Sequence, residues 1–189
     1  MAVVAIYDAC VLHAAPIRDL LLRLAVAGAV RARWSEQILD ECFASIHRVR
    51  PDLPADRLAR TRVLINSAVP DCLVTGYEAL VEGLNLPDAG DRHVLAAGVR
   101  AGAQVIVTFN LNHFPKAGLS RFGIDARHPD DFVLALLDVA PGVVCAAVQE
   151  QAAALRNPPR TPGQLLETLE GCGLPRAVAR LRLSLGRAI

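Results

Sequence analysis

Two short runs of consecutive apolar residues stand out along the chain. Residues 2–6 and residues 105–107 are rich in Val and Ile, and each run is soon followed by a polar side chain, Asp8 and Thr108 respectively. Continuous apolar runs of this length are typical of strands that are covered on both faces, as in a parallel sheet. The pattern therefore predicts two buried parallel strands with polar residues just beyond their ends.

Between these runs the apolar residues recur at helical spacing. The pattern predicts a further short strand over residues 72–75 and helices over residues 11–27, 36–49, 54–69, 77–84 and 91–100. Gly102 follows the last of these helices and is a typical helix end. Alternation of strands and helices predicts an α/β fold, with a parallel sheet sandwiched by helices.

From residue 130 onward the pattern indicates helices only, with residues 157–159 as a linker. Thr161 and Gln164 match a capping box, and we expect a last helix over residues 175–185. The segment after residue 157 is too small to bury a core alone, so it should dock on the rest of the chain. The predicted docking face comprises Leu165, Leu166, Leu169, Leu174, Val178 and Leu181, with Arg176, Arg180 and Arg187 facing outward.

Composition narrows the classes of protein that fit. The 189 residues are 53% hydrophobic and carry 20 basic against 19 acidic side chains, so binding of a polyanion would depend on local charge. The five cysteines include no CxxC pair, which favours a reducing compartment. Asp138 and Pro141 interrupt the most apolar stretch, residues 132–148, which predicts two core helices rather than a membrane span. We therefore expect a cytoplasmic protein with no membrane contact.

Three carboxylates come from three separate segments. Asp8 follows the first strand, Glu41 lies on the flank of a predicted helix, and Asp91 begins the helix that leads into the strand at residue 105. Taken singly, each is typical of a helix cap or a solvated side chain. If the topology brings them to one edge of the sheet, their repulsion favours a cation, and oxygen ligands suit Mg²⁺ or Mn²⁺.

Two sequence segments carry a resemblance to a known family. DRHVLAA at residues 91–97 and VTFNLNHFP at residues 107–115, in this order after Asp8 and Glu41, resemble PIN-domain ribonucleases. Together with residues 161–182, they more narrowly resemble the VapC-type toxins of toxin–antitoxin pairs, in the branch with a C-terminal helical extension. The resemblance implies a PIN domain over residues 1–130 and a docked helical extension over residues 131–189.

The same resemblance implies an activity and its partners. It predicts a metal-dependent endoribonuclease that uses Mg²⁺ or Mn²⁺ to hydrolyse structured RNA of the tRNA or ribosomal RNA class. A cognate antitoxin protein would restrain it, and the family suggests a homodimer. Asp8, Glu41 and Asp91 would be the catalytic metal ligands. The residues expected around them are Asp88, Thr108, Asn110 and His113.

Two positions depart from the family pattern. Asn110 stands where many PIN domains have a fourth acid, and His113 stands where relatives of this branch often have Asp. Both departures remove negative charge, which should weaken binding of a second ion unless Asp88 contributes. The sequence therefore leaves open whether one or two ions are used.

Two other classes of protein agree with part of the sequence. A phosphatase with Asp8 as nucleophile would need a second Asp two residues on, and Cys10 stands there instead. A non-catalytic PIN-like module that binds RNA or protein would explain Asn110 and His113. Such a module would not explain why Asp8, Glu41 and Asp91 are all present, but it stays the alternative to the nuclease.

Overall fold

The computed structural model describes residues 2–186, and within them one parallel sheet has the strand order β2-β1-β3-β4. Its strands are β1 Val3–Tyr7, β2 Val30–Arg33, β3 Val105–Val107 and β4 Asp125–Arg127. β1 pairs in parallel with β2 and β3, and β3 pairs in parallel with β4. The carboxyl ends of all four strands therefore lie at the same edge of the sheet.

Helices make up most of the described chain and surround the sheet. The α-helices are α1 Ala9–His13, α2 Ala15–Val26, α3 Glu36–Val49, α4 Ala55–Ala68, α5 Glu78–Val81, α6 Arg92–Ala101, α7 Lys116–Leu119, α8 Pro129–Val139, α9 Pro141–Ala154, α10 Pro162–Gly171 and α11 Pro175–Gly186. Three short 3-10 turns cover Ala89–Asp91, Leu111–His113 and Ser120–Phe122. This arrangement confirms the predicted class, a parallel sheet among helices with a helical C-terminal region.

The centre of the sheet holds the core. Ile6 and Tyr7 of β1 are completely buried, because β1 has a strand on each side and helices over both faces. Trp34 stacks on Tyr7 with ring centroids 6.3 Å apart. Gly102 ends α6 in the left-handed conformation with φ 61°, as a glycine at this position allows. The chain can then turn directly into β3.

Several elements differ from those predicted. The helix expected over residues 11–27 is divided at Ala14, because Pro16 lies in the first turn of a new helix. Residues 72–75 do not form a strand; Leu73 makes only a single bridge to Trp34. β2 and β4 were not predicted. They lie at the two edges of the sheet, where polar residues interrupt the apolar pattern.

The C-terminal helices pack on the rest of the chain through an apolar face. Leu165, Leu166, Leu169, Leu174, Val178 and Leu181 are all buried. α10 contacts α9 and α11, and α11 contacts α8. Arg176 and Arg180 are exposed, as expected, but they pair with Asp131 and Asp138. Arg187 lies outside the described residues, and the domain division at residue 130 stays a prediction.

The apolar stretch 132–148 forms α8 and α9, which meet at Ala140. Among the residues described, no helix combines the length and apolar character that crossing a bilayer requires.

A buried carboxylate joins α8 to α11. Asp130, in the first turn of α8, is 5% exposed. Its Oδ2 accepts from the backbone N–H of Arg176 at 3.1 Å, and its Oδ1 accepts from that of Ala177 at 2.8 Å. These N–H groups lie at the start of α11, where no carbonyl of the helix itself can accept from them. Asp130 therefore acts as the cap of a helix that is distant in sequence.

We expect Asp130→Ala to lower the free energy of unfolding by about 1–3 kcal/mol, because the buried N–H of Ala177 and the partly buried N–H of Arg176 lose their acceptor. Urea denaturation at neutral pH measures this loss. Asp131→Ala is the matched control. It removes only the exposed pair with Arg176, which should contribute about 1 kcal/mol or less. Equal losses in both variants would contradict the capping role of Asp130.

Candidate metal centre

Asp8 lies just beyond the end of β1 and is 4% exposed. Its Oδ1 accepts from the backbone N–H of Ala9 at 2.6 Å, and its Oδ2 accepts from the hydroxyl of Thr108 at 2.7 Å. The backbone N–H of Asp8 donates to the carbonyl of Val107 at 3.1 Å. The orientation of the carboxylate is thus set by the ends of β1 and β3 together. Oδ1 keeps a further lone pair for a ligand, whereas Oδ2 is also within hydrogen-bond distance of Cys10.

Cys10 is part of the same network. Its Sγ lies 3.2 Å from Asp8 Oδ2 and accepts from the backbone N–H of Phe109 at 3.3 Å. Burial, together with the charge of Asp8, raises the pKa of the Cys10 thiol to about 12. The thiol therefore stays protonated near neutral pH and can donate to Asp8. The sequence pattern assigns Cys10 no role in the site, although its place in the first turn after Asp8 is visible in the sequence.

Asp91 ends the 3-10 turn that precedes α6, and most of its side chain is buried. Its Oδ2 lies 2.6 Å from Nδ1 of His113. Burial raises the pKa of Asp91; the contact with His113 opposes this rise, whereas the charges of Asp8 and Asp88 add to it. Asp8 and Asp91 are therefore close enough for their charges to interact, although they come from different segments.

Asp88, Asp91 and His113 form a cluster in which one ligand atom from each residue lies within 4.8 Å of the other two. Nδ1 of His113 is 3.8 Å from Asp88 Oδ2. Oδ1 of Asp88 accepts from the backbone N–H of Gly90 at 2.8 Å, so the turn that carries Asp91 also fixes Asp88. Two carboxylates and one imidazole are a donor set that fits a divalent ion.

Glu41 lies on α3 and is turned toward α6. Its Oε1 is 2.8 Å from Nε2 of the buried His93, which is close enough for an ion pair. The ring N–H is not aligned on the oxygen as a hydrogen bond requires. His93 follows Asp91 by two residues in the chain, so both predicted acids lie beside the start of α6. The side chain of Glu41 is 44% exposed and accessible from solvent.

Of the three predicted ligands, only Asp91 belongs to the cluster. Among residues 2–186, Asp8 and Glu41 are not in a group of three side chains whose ligand atoms lie within 4.8 Å of one another. Convergence of Asp8, Glu41 and Asp91 on one ion therefore stays a prediction. Asn110 and His113 both lie beyond the end of β3, next to or within the turn Leu111–His113. The backbone N–H of Asn110 donates to the Thr108 hydroxyl at 3.0 Å.

Comparison with known proteins identifies the family to which this chain belongs. Residues 4–112 match the PIN domain, and the chain belongs to the PIN-domain family. Residues 129–183 match the VapC50 C-terminal domain. Both matches confirm the resemblance found in the sequence.

One relative is a Mycobacterium tuberculosis (strain ATCC 25618 / H37Rv) protein named "Putative ribonuclease VapC50". This chain is 40% identical to it over 130 residues, which are 67% of this chain and 76% of that protein. No solved structure matches the chain.

Proposed function

We propose that the protein is a metal-dependent endoribonuclease and the toxin of a VapBC-type toxin–antitoxin pair. The observation that carries this proposal is the acidic edge of the sheet. There the buried carboxylate of Asp8 faces the end of β3, and its charge acts on Asp91. Membership of the PIN-domain family and the ribonuclease name of the relative support the same activity.

In this proposal Asp8, Glu41 and Asp91 hold the ion, which is Mg²⁺ or Mn²⁺. When bound there, a divalent ion supplies positive charge to a phosphodiester and lowers the pKa of a water molecule for in-line attack at phosphorus. Thr108 holds Asp8 in one orientation, so the carboxylate needs little rearrangement to bind the ion. No side chain has to form a covalent bond to the RNA.

The remaining partners are also part of the proposal. The substrate is structured RNA of the tRNA or ribosomal RNA class, a cognate antitoxin restrains the enzyme, and the active form is a homodimer. The resemblance to VapC-type toxins supports each of these partners. The chain as a whole is nearly neutral, so the ion and local charge, rather than net charge, must attract the RNA.

The test is cleavage of purified tRNA and ribosomal RNA by the full-length protein. We expect cleavage to stop in EDTA and to return when Mg²⁺ or Mn²⁺ is added in excess, because the carboxylates alone cannot neutralise charge on the phosphate. Cleavage that is unaffected by EDTA would contradict metal dependence. Metal-independent binding of RNA without cleavage would instead favour the alternative, a non-catalytic PIN-like module.

A further inference from the structure

We infer that His113 is a nitrogen ligand of the ion and makes this centre favour transition metal ions such as Mn²⁺ and Co²⁺ over Mg²⁺. The inference rests on the proposed metal centre. It concerns which ion is preferred, and it can be tested without measuring RNA cleavage.

The ring of His113 is placed to bind an ion together with two carboxylates. Nδ1 of His113 faces two carboxylates, at 2.6 Å from Asp91 Oδ2 and at 3.8 Å from Asp88 Oδ2. Three donors at about 2.1 Å from one ion are at most about 4.2 Å apart. The mutual distances of up to 4.8 Å in the cluster thus require only small side-chain movements. An ion bound here would take the place of the proton between His113 and Asp91.

The donor atoms of the cluster determine which ion it prefers. Mg²⁺ binds oxygen ligands almost exclusively and depends strongly on their negative charge. A carboxylate at position 113 would give the cluster three negative charges, whereas a neutral imidazole leaves two. Imidazole nitrogen is a good ligand for later first-row ions, whose affinity for such sites rises from Mn²⁺ to Co²⁺ and beyond. His113 therefore weakens the attraction for Mg²⁺ while it keeps a ligand for the softer ions.

The competing explanation is that His113 only orients Asp91 through their hydrogen bond. In that case its nitrogen would remain outside the coordination sphere, and exchange of His113 for an acid would change the affinities of all the ions by similar factors. The two explanations therefore differ in two measurable quantities. One is the effect of the exchange on the ratio of Mn²⁺ to Mg²⁺ affinity, and the other is whether a nitrogen atom is bound to the ion.

The experiment uses the full-length protein and the metal ions alone. Calorimetric titration with Mg²⁺ and Mn²⁺ gives the two affinities, and pulsed EPR of the Mn²⁺-loaded protein detects nitrogen coupled to the ion. The variants are His113→Asp and His113→Asn. His47→Asp, at an exposed position on α3, is the matched control. Circular dichroism verifies that each variant is folded.

We expect the wild type and His47→Asp to prefer Mn²⁺ and to show nitrogen coupling. His113→Asp should lose the coupling and reduce the preference for Mn²⁺ by about 10–100-fold, and His113→Asn should lose the coupling as well. The inference would be overturned if nitrogen coupling were absent from the wild type or persisted in His113→Asp. It would also be overturned if His113→Asp left the ratio of Mn²⁺ to Mg²⁺ affinity unchanged, or if the wild type bound neither ion. If Mg²⁺ restored RNA cleavage in a wild-type protein that showed no nitrogen coupling, the role of His113 would be overturned, whereas the proposed nuclease activity would stand.

Discussion

Replacing Asp8 with Asn is expected to reduce RNA cleavage by at least about 100-fold, because the change removes a negative charge from the proposed metal centre. The fold should survive. An Asn carbonyl can still accept from the backbone N–H of Ala9, and its amide can donate to the hydroxyl of Thr108, which now accepts. The loss would therefore come from the chemistry of the site.

Cleavage of tRNA at a saturating concentration of Mn²⁺ measures this effect. Asp56→Asn is the matched control, since Asp56 is an exposed acid in the first turn of α4. We expect the control to cleave like the wild type. If Asp8→Asn retained full activity and bound the ion normally, the chemistry would have to be assigned to other residues.

Leu169→Ala is expected to lower the free energy of unfolding by about 2–5 kcal/mol. Leu169 on α10 is 0% exposed, and α10 packs between α9 and α11, so truncation leaves a cavity that these helices cannot easily close. The loss is large compared with the total stability of an ordinary domain.

Urea denaturation followed by circular dichroism gives the difference in stability. Leu183→Ala on α11 makes the same chemical change at a side chain that is 65% exposed, and it should alter stability by no more than about 0.5 kcal/mol. Similar values for the two variants would show that the C-terminal helices do not depend on this packing.

The strands that the sequence predicted correctly are those that lie inside the sheet. β1 and β3 are uninterrupted apolar runs because helices cover both of their faces. β2 and β4 lie at the edges, and their sequences, VRAR and DAR, combine apolar and charged residues over only a few positions. A pattern this short does not distinguish a strand from a loop. These residues form strands because they pair with a central strand, and local sequence does not specify that pairing.

Two of the acidic residues could be predicted because they adjoin elements that the sequence pattern makes recognisable. Asp8 directly follows a recognisable strand, and Asp91 begins a recognisable helix, so topology alone predicts that they lie at one edge. The contact between Asp91 and His113 spans 22 residues and depends on how two short turns face each other. The role of Cys10 depends on how the first turn of α1 approaches Thr108 and Phe109, just beyond β3. Neither contact has a periodic signal in the sequence.

The cap that Asp130 provides also affects the order in which the protein can be completed during synthesis. The carboxylate leaves the ribosome 46 and 47 residues before the two N–H groups that it binds. By then the four strands have been made, whereas α11 has not. A nascent chain that lacks residues 175–186 therefore leaves the apolar surface of α8 uncovered. Exposed apolar surface of this kind favours aggregation, and it stays exposed until α11 has packed on α8.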